Sequence, residues 1–272
     1  MDQDKIKAFA GKVFEDMAGG MAAGLAYVGT RTGLFRAMSG NGPMSMDAIV
    51  HASGLKQRYV EEWLNGMVCS KYLEYDPDEK TFELPDECSY LLASEGSDHF
   101  VGGLFYALPM MLGVAPRVAA AFETGGGVPF EDYGEDGILA IDLMTRGLYE
   151  QRFSDYWLKS IPEVHATLEK DGRVLDFGCG AGRAVLAMAK AFPKSVFTGL
   201  DLDKSSIEQA EDSNRQSGLL DNVRFVSGSV SELDPMDQFD LITVCDCIHD
   251  LTDPIGVLKD LYSRLRSDGT LF

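Results

Sequence analysis

The sequence predicts an α/β protein in which a mainly helical N-terminal part precedes a parallel β-sheet with helices on both faces. Three observations support this fold class. Helical periods dominate the apolar pattern ahead of residue 169. From Gly172 onward, strand-like and helical segments alternate, which is typical of parallel sheets. A glycine-rich turn follows the first strand, at the place where sheets of this kind bind ligands.

The first element is a helix rich in small residues. Its segment "MAGGMAAGLAYVG" predicts close packing against another backbone, and a partner subunit is one candidate for that backbone. The stretch "MSMDAIVHASGL" predicts a helix and a turn at Gly54, and a second helix follows from about Gln57 to Cys69. The apolar stripes of these two helices are predicted to be Ile49, Val50, Tyr59, Val60, Trp63, Leu64 and Met67.

A hairpin follows the second helix. The segments "YLEY" and "TFEL" alternate on either side of "DPDEK". Helix, turn, helix and hairpin in this order form the winged-helix pattern, which we assign to residues 1–98. Many winged helices bind DNA, but Lys56 and Arg58 are offset here by neighbouring glutamates, and the hairpin tip is acidic. Because phosphate binding needs a surplus of Lys and Arg, we expect packing or dimerisation instead.

The composition narrows the range of partners. The net charge of −19 repels nucleic acids and anionic membranes, which favours a small molecule or a protein as partner. The five cysteines are odd in number and scattered, so we expect reduced thiols in a cytoplasmic protein. The apolar run "HFVGGLFYALPMMLGVA" is shorter than the roughly 20 residues that span a bilayer, and we expect a buried helix or a subunit contact.

Residues 99–168 are predicted to form a helical connector. The loop "ETGGGVPFEDYGED" interrupts it and is either a mobile lid or a plain link. Tyr149, Phe153 and Trp157 then recur on a helical pattern. Such a stripe is typical of a helix core, and the wall of a ligand pocket is the alternative.

Residues 169–272 are predicted to form the sheet. The predicted strands are "RVLDFG", "SVFTGLDLD", "NVRFVSG" and "FDLITVCDC", and "TLF" begins a fifth. The helices between them are "RAVLAMAKAF", "SSIEQAEDSNRQSG" and "PIGVLKDLYSRLRSDG", the last ending at a glycine cap.

The turn "DFGCGAG" carries the strongest chemical signal. Its glycines allow a tight turn and the close approach of a ligand to the main chain. Asp201 ends the next strand about 20 residues on, which suits the hydroxyls of a ribose. The spacing differs from the dinucleotide fingerprint G-x-G-x-x-G, and Asp176 precedes the first glycine. Such a carboxylate would repel a pyrophosphate but suit a cationic ligand.

At these residues the sequence resembles the class I S-adenosylmethionine-dependent methyltransferases. "VLDFGCGAG" is similar to the family's first motif and "GLDLD" to its second, and the likeness continues through "VRFVSGSV" and "FDLITVCDCIHDLTDP". The N-terminal part resembles the winged-helix dimerisation domain that precedes this fold in small-molecule O-methyltransferases. The resemblance implies a Rossmann-like sheet, S-adenosylmethionine as cofactor, a small-molecule acceptor and a homodimer formed through the N-terminal domain.

The resemblance also implies a role for individual residues. Gly178 and Gly180 would run against the methionine moiety, Asp176 would lie near its amino group, and Asp246 would stand at the mouth of the site. Asp201 would hold the ribose and Leu202 would cover the adenine. Many members have Gly-Asp-Ala in the third motif, where this chain has Gly-Ser-Val. Ser229 and the main chain of Val230 would therefore bind the adenine without the usual charge, which puts adenine affinity in question.

His249 is the candidate catalytic base. Plant O-methyltransferases have a His-Asp-Trp-x-Asp signature here, and "HDLTD" keeps all of it except the tryptophan. An imidazole suits the removal of a hydroxyl proton near neutral pH. The alternative is that His249 only packs after the strand.

The sequence therefore predicts a methyltransferase that acts on a small molecule, with oxygen as the expected acceptor atom. The alternatives are a non-catalytic protein for cofactor binding or dimerisation, and a winged-helix transcription regulator. The resemblance implies two more strands after the fifth, so we expect the chain to be a fragment or a shortened form.

Overall fold

The structure is a computed structural model that describes residues 1–218 and 220–272, with all side chains except those of Phe130, Glu131, Glu135, Asp136 and Ile138. The chain divides into two compact units, Met1–Met144 and Thr145–Phe272. The division into domains at residues 98 and 168 remains a prediction.

The first unit is mainly helical. Its helices are α1 (Gln3–Thr32), α2 (Leu34–Met38), α3 (Met46–Ser53), α4 (Gln57–Cys69), α5 (Asp86–Leu92), α6 (Gly102–Gly113), α7 (Ala115–Thr124) and most of α8 (Gly134–Leu148). Its strands are β1 (Met44–Ser45), β2 (Glu74–Asp76) and β3 (Thr81–Glu83), in an antiparallel sheet of order β1-β3-β2.

The winged-helix core forms where the sequence places its apolar stripes. Ile49, Val60, Trp63, Leu64 and Met67 are all buried. The prediction is wrong for Tyr59, which stands in the first turn of α4 and is 76% exposed.

The small residues of α1 have two different environments. A Cβ at Gly29 would lie 2.6 Å from the rings of Phe35 and Trp63, so this glycine permits close packing within the unit. Trp63 Nε1 also donates to the Leu25 carbonyl over 2.8 Å. In contrast, a Cβ at Gly19, Gly20 or Gly24 would meet nothing within 4 Å.

The second unit is an α/β sheet. A π-helix (Tyr149–Trp157) and α9 (Pro162–Leu168) lead into β4 (Arg173–Phe177), α10 (Arg183–Ala191), β5 (Val196–Asp201), α11 (Lys204–Gln216), β6 (Val223–Ser227), β7 (Phe239–Thr243), α12 (Pro254–Ser263) and β8 (Leu265–Leu271). The strand order is β6-β5-β4-β7-β8 and every pairing is parallel. The predicted fold class is therefore confirmed.

Alternation along the strands builds a core on each face of the sheet. Val174 packs on one face with Phe153 of the π-helix and Val185 of α10. Leu175 packs on the other face with Leu261 of α12. The chain order reverses between β4 and β7, so the carboxyl ends of these strands open the crevice in which such sheets bind ligands.

The last predicted helix is too long. It ends at Ser263, and β8 begins at Leu265 and includes the predicted cap Gly269. Leu265 is paired with Phe239 and Thr270 with Leu241. Leu265 and Thr270 are therefore paired along β7, and residues 266–269 form an irregularity between these two pairs instead of another helical turn.

No single helix among the described residues is long and apolar enough to cross a membrane. Among the same described residues, α6 and α7 together pass this criterion, as a pair bent by 48°.

Candidate functional site

The glycine turn at the end of β4 has a left-handed backbone. Gly178, Gly180 and Gly182 have φ angles of 73°, 50° and 76°. A Cβ at Gly178 would lie 2.5 Å from Cys247 Sγ, and one at Gly182 would lie 2.7 Å from the ring of Phe225. A Cβ at Gly180 would meet nothing within 4 Å. The outer glycines therefore permit packing, whereas Gly180 presents its backbone to open space.

Asp201 ties the glycine turn to the end of β5. Its Oδ2 accepts a hydrogen bond from Gly180 N over 2.8 Å, and its Oδ1 accepts one from Asp203 N over 2.9 Å. Burial raises the pKa of this carboxyl, and the backbone donors oppose that effect. Each carboxylate oxygen can accept a second hydrogen bond, so Asp201 could also hold ligand hydroxyls.

Asp176 is a buried carboxyl at the switch point of the sheet. It is 2% exposed, and Thr243 of β7 donates its hydroxyl to Asp176 Oδ1 over 2.6 Å. Burial raises its pKa to about 7, the Thr243 hydrogen bond opposes this, and the Asp201 charge adds to it. Within the described part of the chain, no cationic side chain is among the groups that set this pKa. A cation bound nearby would supply the missing charge.

The sequence did not predict that Thr243 belongs to the site. It is a buried polar residue within the apolar run "FDLITV" and the register partner of Asp176. A buried hydroxyl in a strand was the available signal, because such groups require a partner.

The residues predicted to cover the adenine lie beyond β5 and β6. Leu202 is 66% exposed, which leaves its side chain available to a ligand. Ser229 Oγ lies 2.7 Å from Ser231 Oγ, and the Val230 side chain is buried in the core. Gly228 N donates to the Asp201 carbonyl over 2.8 Å, which holds this turn beside β5.

The loop after β7 carries Asp246 and His249. The strand ends at Thr243, so Asp246 lies beyond its end rather than on it, with a left-handed φ of 57°. His249 belongs to a short 3-10 helix, and its side chain is 65% exposed. Its Nδ1 is 3.9 Å from Asp246 Oδ1 and its Nε2 is 3.6 Å from Asp250 Oδ2. Both distances exceed a hydrogen bond.

The interior side of the site carries aromatic and thiol groups. Burial, and then the charge of Asp176, raise the pKa of the Cys245 and Cys247 thiols, the latter to about 12. These thiols are therefore neutral. Burial raises the pKa of Tyr149 as well, and the nearby thiols and carboxyls add to it. The sequence left two roles open for Tyr149, helix core or pocket wall. The charge of Asp176 contributes to its raised pKa, so Tyr149 lies close to Asp176. Phe153 is instead fully buried core.

Among the described residues, no group of three or more His, Cys, Asp or Glu side chains is arranged to hold a metal ion.

Family models match both parts of the chain. A model described as "Methyltransferase domain" matches residues 174–269. The second unit contains a class I methyltransferase domain. A model described as "Rv2258c-like winged HTH domain" matches residues 20–94. The winged-helix domain is therefore confirmed, and it precedes the methyltransferase domain as the sequence predicts.

The curated relatives match a little over a third of the chain. The ubiquinone/menaquinone biosynthesis C-methyltransferase UbiE of Vibrio vulnificus is 32% identical over 101 residues, covering 36% of this chain and 39% of its own length. The ubiquinone biosynthesis O-methyltransferase of Pseudomonas putida strain F1 is 27% identical over 100 residues, covering 37% of this chain and 42% of its own length. The chain thus spans about two fifths of the length of these relatives.

Solved structures match the fold over nearly the whole chain. Human N-acetylserotonin methyltransferase, solved in complex with SAM, has a TM-score of 0.69 at 18% identity and covers 96% of this chain and 78% of its own. An O-methyltransferase family protein from Burkholderia thailandensis has a TM-score of 0.67 at 13% identity, covering 100% of this chain and 79% of its own. At these identities the likeness concerns the fold.

The residues of the methyltransferase domain fit S-adenosylmethionine, the cofactor of this family. Gly180 leaves open space beside the backbone, Asp201 is a hydrogen-bond acceptor at the end of β5, and among the described residues no cationic side chain contributes to the pKa of the buried Asp176. A sulfonium ligand with an amino group and a ribose matches these three features.

Proposed function

We propose that this chain binds S-adenosylmethionine at the carboxyl ends of β4 and β5 and transfers its methyl group to the oxygen of a small molecule. The observation that carries the proposal is the buried Asp176 beside Asp201 and the open backbone of Gly180. When bound, the cofactor supplies an electrophilic methyl group. Calorimetric titration with S-adenosylmethionine tests the binding step, and the absence of binding would contradict it.

In this proposal, each residue of the site has a distinct task. Asp176 offsets the positive charge of the cofactor, and Asp201 accepts the ribose hydroxyl protons in hydrogen bonds. Gly180 leaves room for the methionine moiety, and Asp246 bounds the mouth. Gly178, which was expected to run against the same moiety, instead packs against Cys247. Leu202, Ser229 and the main chain of Val230 surround the adenine.

Oxygen is proposed as the acceptor atom because of His249. This imidazole takes the proton of an acceptor hydroxyl at a ring nitrogen while the oxygen forms its bond to the methyl carbon. The likeness of the fold to that of an O-methyltransferase family protein supports this choice. The curated relatives include a C-methyltransferase. The proposal of oxygen as acceptor atom therefore rests on His249 and not on these relatives.

Replacing His249 by alanine is expected to lower kcat for a hydroxyl acceptor by about 100-fold, the usual effect of losing a general base. The affinity for S-adenosylmethionine should not change. Transfer of a labelled methyl group and calorimetry measure the two quantities. His51→Ala, at an exposed position in α3, is the matched control and should behave as the unaltered chain does. Full turnover in His249→Ala would assign His249 a structural role.

A non-catalytic cofactor-binding protein is the second candidate. It is favoured by the 3.6 Å and 3.9 Å separations that leave the ring nitrogens of His249 without a close carboxylate. This candidate predicts S-adenosylmethionine binding without transfer to any hydroxyl acceptor. Turnover with a panel of phenols distinguishes the two functions.

We further propose that the chain is a cytoplasmic homodimer formed through α1. Phe9, Phe14, Met17 and Met21 are between 63% and 75% exposed and follow one stripe of this helix at 3.6 residues per turn. Exposed aromatic and methionine side chains in a stripe favour an interface with a second copy.

Placing glutamates at Phe14 and Met17 should disrupt the dimer, because two carboxylates would then be desolvated in an apolar contact. We expect the dimer to dissociate at least about 100-fold more readily. Sedimentation equilibrium measures this change. Ala8→Glu places the same charge on the opposite face of α1 and should leave the dimer intact. A monomeric unaltered chain would contradict the proposal.

A further inference from the structure

The loop after β6 starts beside the residue proposed to hold the ribose. Gly228 N donates to the Asp201 carbonyl over 2.8 Å, and a 3-10 helix (Val230–Glu232) follows. Leu233 N closes this turn with a hydrogen bond to the Val230 carbonyl over 3.3 Å. The Val230 main chain, to which the proposed function assigns the adenine, therefore belongs to a turn that is joined to the end of β5.

One side chain, Arg264, bonds to two carbonyls of this loop. Its Nη1 donates to the Asp234 carbonyl over 2.5 Å, and its Nη2 donates to the Val230 carbonyl over a longer 3.4 Å. The Asp234 carbonyl also accepts the N–H of Asp237, and the Val230 carbonyl accepts that of Leu233. A carbonyl oxygen has two lone pairs, so the main chain and the guanidinium together use both acceptor sites of each carbonyl. The guanidinium thus links two successive turns of the loop.

The backbone of Arg264 is itself fixed between α12 and β7. Its N–H donates to the Leu261 carbonyl at the end of α12 over 3.0 Å, and its carbonyl accepts from Phe239 N over 2.8 Å. Leu261 is fully buried and packs in one core with Val230 and Leu233. The guanidinium therefore reaches the loop from a defined position.

The adenine subsite depends on the main chain of this turn more than on its side chains. Ser229 Oγ lies 2.7 Å from Ser231 Oγ, so this hydroxyl has a partner within the turn. The Val230 side chain is buried in the core, and its N–H is a donor suited to a ring nitrogen of adenine. A main-chain donor cannot turn toward its acceptor as a side chain can, so the position of the turn decides whether this hydrogen bond forms.

We propose that Arg264 is a positioning residue for the cofactor. By holding the Val230 and Asp234 carbonyls, it orients the Val230 N–H toward N1 of the adenine and gives the site its selectivity for this base. Arg264 acts through the loop rather than on the reacting atoms. This role rests on the proposed binding of S-adenosylmethionine and identifies the group that fixes its adenine subsite.

The test compares S-adenosylhomocysteine with S-inosylhomocysteine, in which N1 of the base carries a hydrogen and cannot accept from Val230. The unaltered chain should bind the adenine compound about tenfold more tightly, the effect of one hydrogen bond. In Arg264→Gln this preference should fall below about twofold, through weaker binding of S-adenosylhomocysteine. Arg264→Lys keeps the charge without the fork of donors, so its preference should be intermediate. Calorimetry measures each affinity.

Arg266→Gln is the matched control. Arg266 is exposed and pairs with Asp240 instead of the loop, so this variant should keep the full preference. Amide hydrogen exchange of the empty chain is a second readout that needs no cofactor. Arg264→Gln should accelerate exchange at Leu233 and Asp237, the two amides that share carbonyls with the guanidinium.

Loss of the preference in Arg264→Gln with faster exchange at these amides, and a smaller loss in Arg264→Lys, support the proposal. An unchanged preference, unchanged exchange, or an equal loss of affinity for both compounds overturns it, because a merely structural role would weaken both alike. The absence of any preference in the unaltered chain overturns it too. An unaltered chain that binds neither compound contradicts the proposed function as well, whereas the other adverse results contradict only the role of Arg264.

Discussion

Replacing Asp201 by asparagine is expected to weaken S-adenosylmethionine binding by at least about 100-fold, the effect of losing charged hydrogen bonds to a ribose. The carboxylate also accepts hydrogen bonds from Gly180 N and Asp203 N. In asparagine, an NH₂ group would face one of these N–H donors, so the glycine turn would lose its anchor as well. Calorimetry with S-adenosylmethionine and with S-adenosylhomocysteine measures the change.

Asp212→Asn is the matched control for this experiment. Asp212 lies on the exposed surface of α11 and is paired with Arg215, so the same chemical change should leave cofactor affinity unaltered. If Asp201→Asn binds the cofactor as tightly as the unaltered chain, Asp201 does not hold the ribose. A thermal unfolding curve of each variant separates a lost contact from a lost fold.

Replacing Asp176 by asparagine should stabilise the empty protein above pH 7 and weaken its cofactor binding. Burial raises the pKa of Asp176 from 3.8 to about 7, so between these values the folded protein keeps a proton that the unfolded chain has released. The free energy of unfolding therefore falls as pH rises through this window. The cost of the buried charge is at most about 4 kcal/mol, from a shift of about three pKa units.

Asparagine removes this cost, since its amide oxygen can still accept the Thr243 hydroxyl. Thermal unfolding between pH 5 and pH 9 should give curves for the two proteins that diverge up to about pH 7 and then run parallel. Curves that run parallel throughout would contradict the prediction. In the unaltered chain, affinity for the cationic cofactor should rise with pH up to about 7, because only the ionised carboxyl attracts it. This pH dependence should be absent in Asp176→Asn.

Local sequence patterns predict much of this fold. Helix α4 spans Gln57–Cys69 as expected, because its apolar residues recur with the helical period and Gly54 provides the preceding turn. The parallel direction of the strands in the second unit follows from the alternation of strands and helices, since crossover connections make neighbouring strands parallel. The positions of the glycine turn and Asp201 follow from the strands that they end.

Features that depend on pairing between distant segments could not be predicted from the sequence. Leu265–Gly269 has the spacing of a helix but belongs to β8, where Leu265 is paired with Phe239 and the residues up to Gly269 form an irregularity before the next pair. The contact between Thr243 and Asp176 depends on strand register. Register is set by the whole sheet, and no local pattern specifies which side chains it places opposite each other.

The close packing of Cys247 against Gly178 couples the position of the glycine turn to that of the loop after β7. Only the missing side chain of Gly178 leaves room for the Cys247 sulfur, which in turn donates to the Phe177 carbonyl over 3.3 Å. A larger group at either position would push both loops apart. Alkylation of Cys247 would therefore move the segment beside Asp176 away from the segment that carries His249. Since the pKa of this thiol is about 12, such a reaction would be slow at neutral pH.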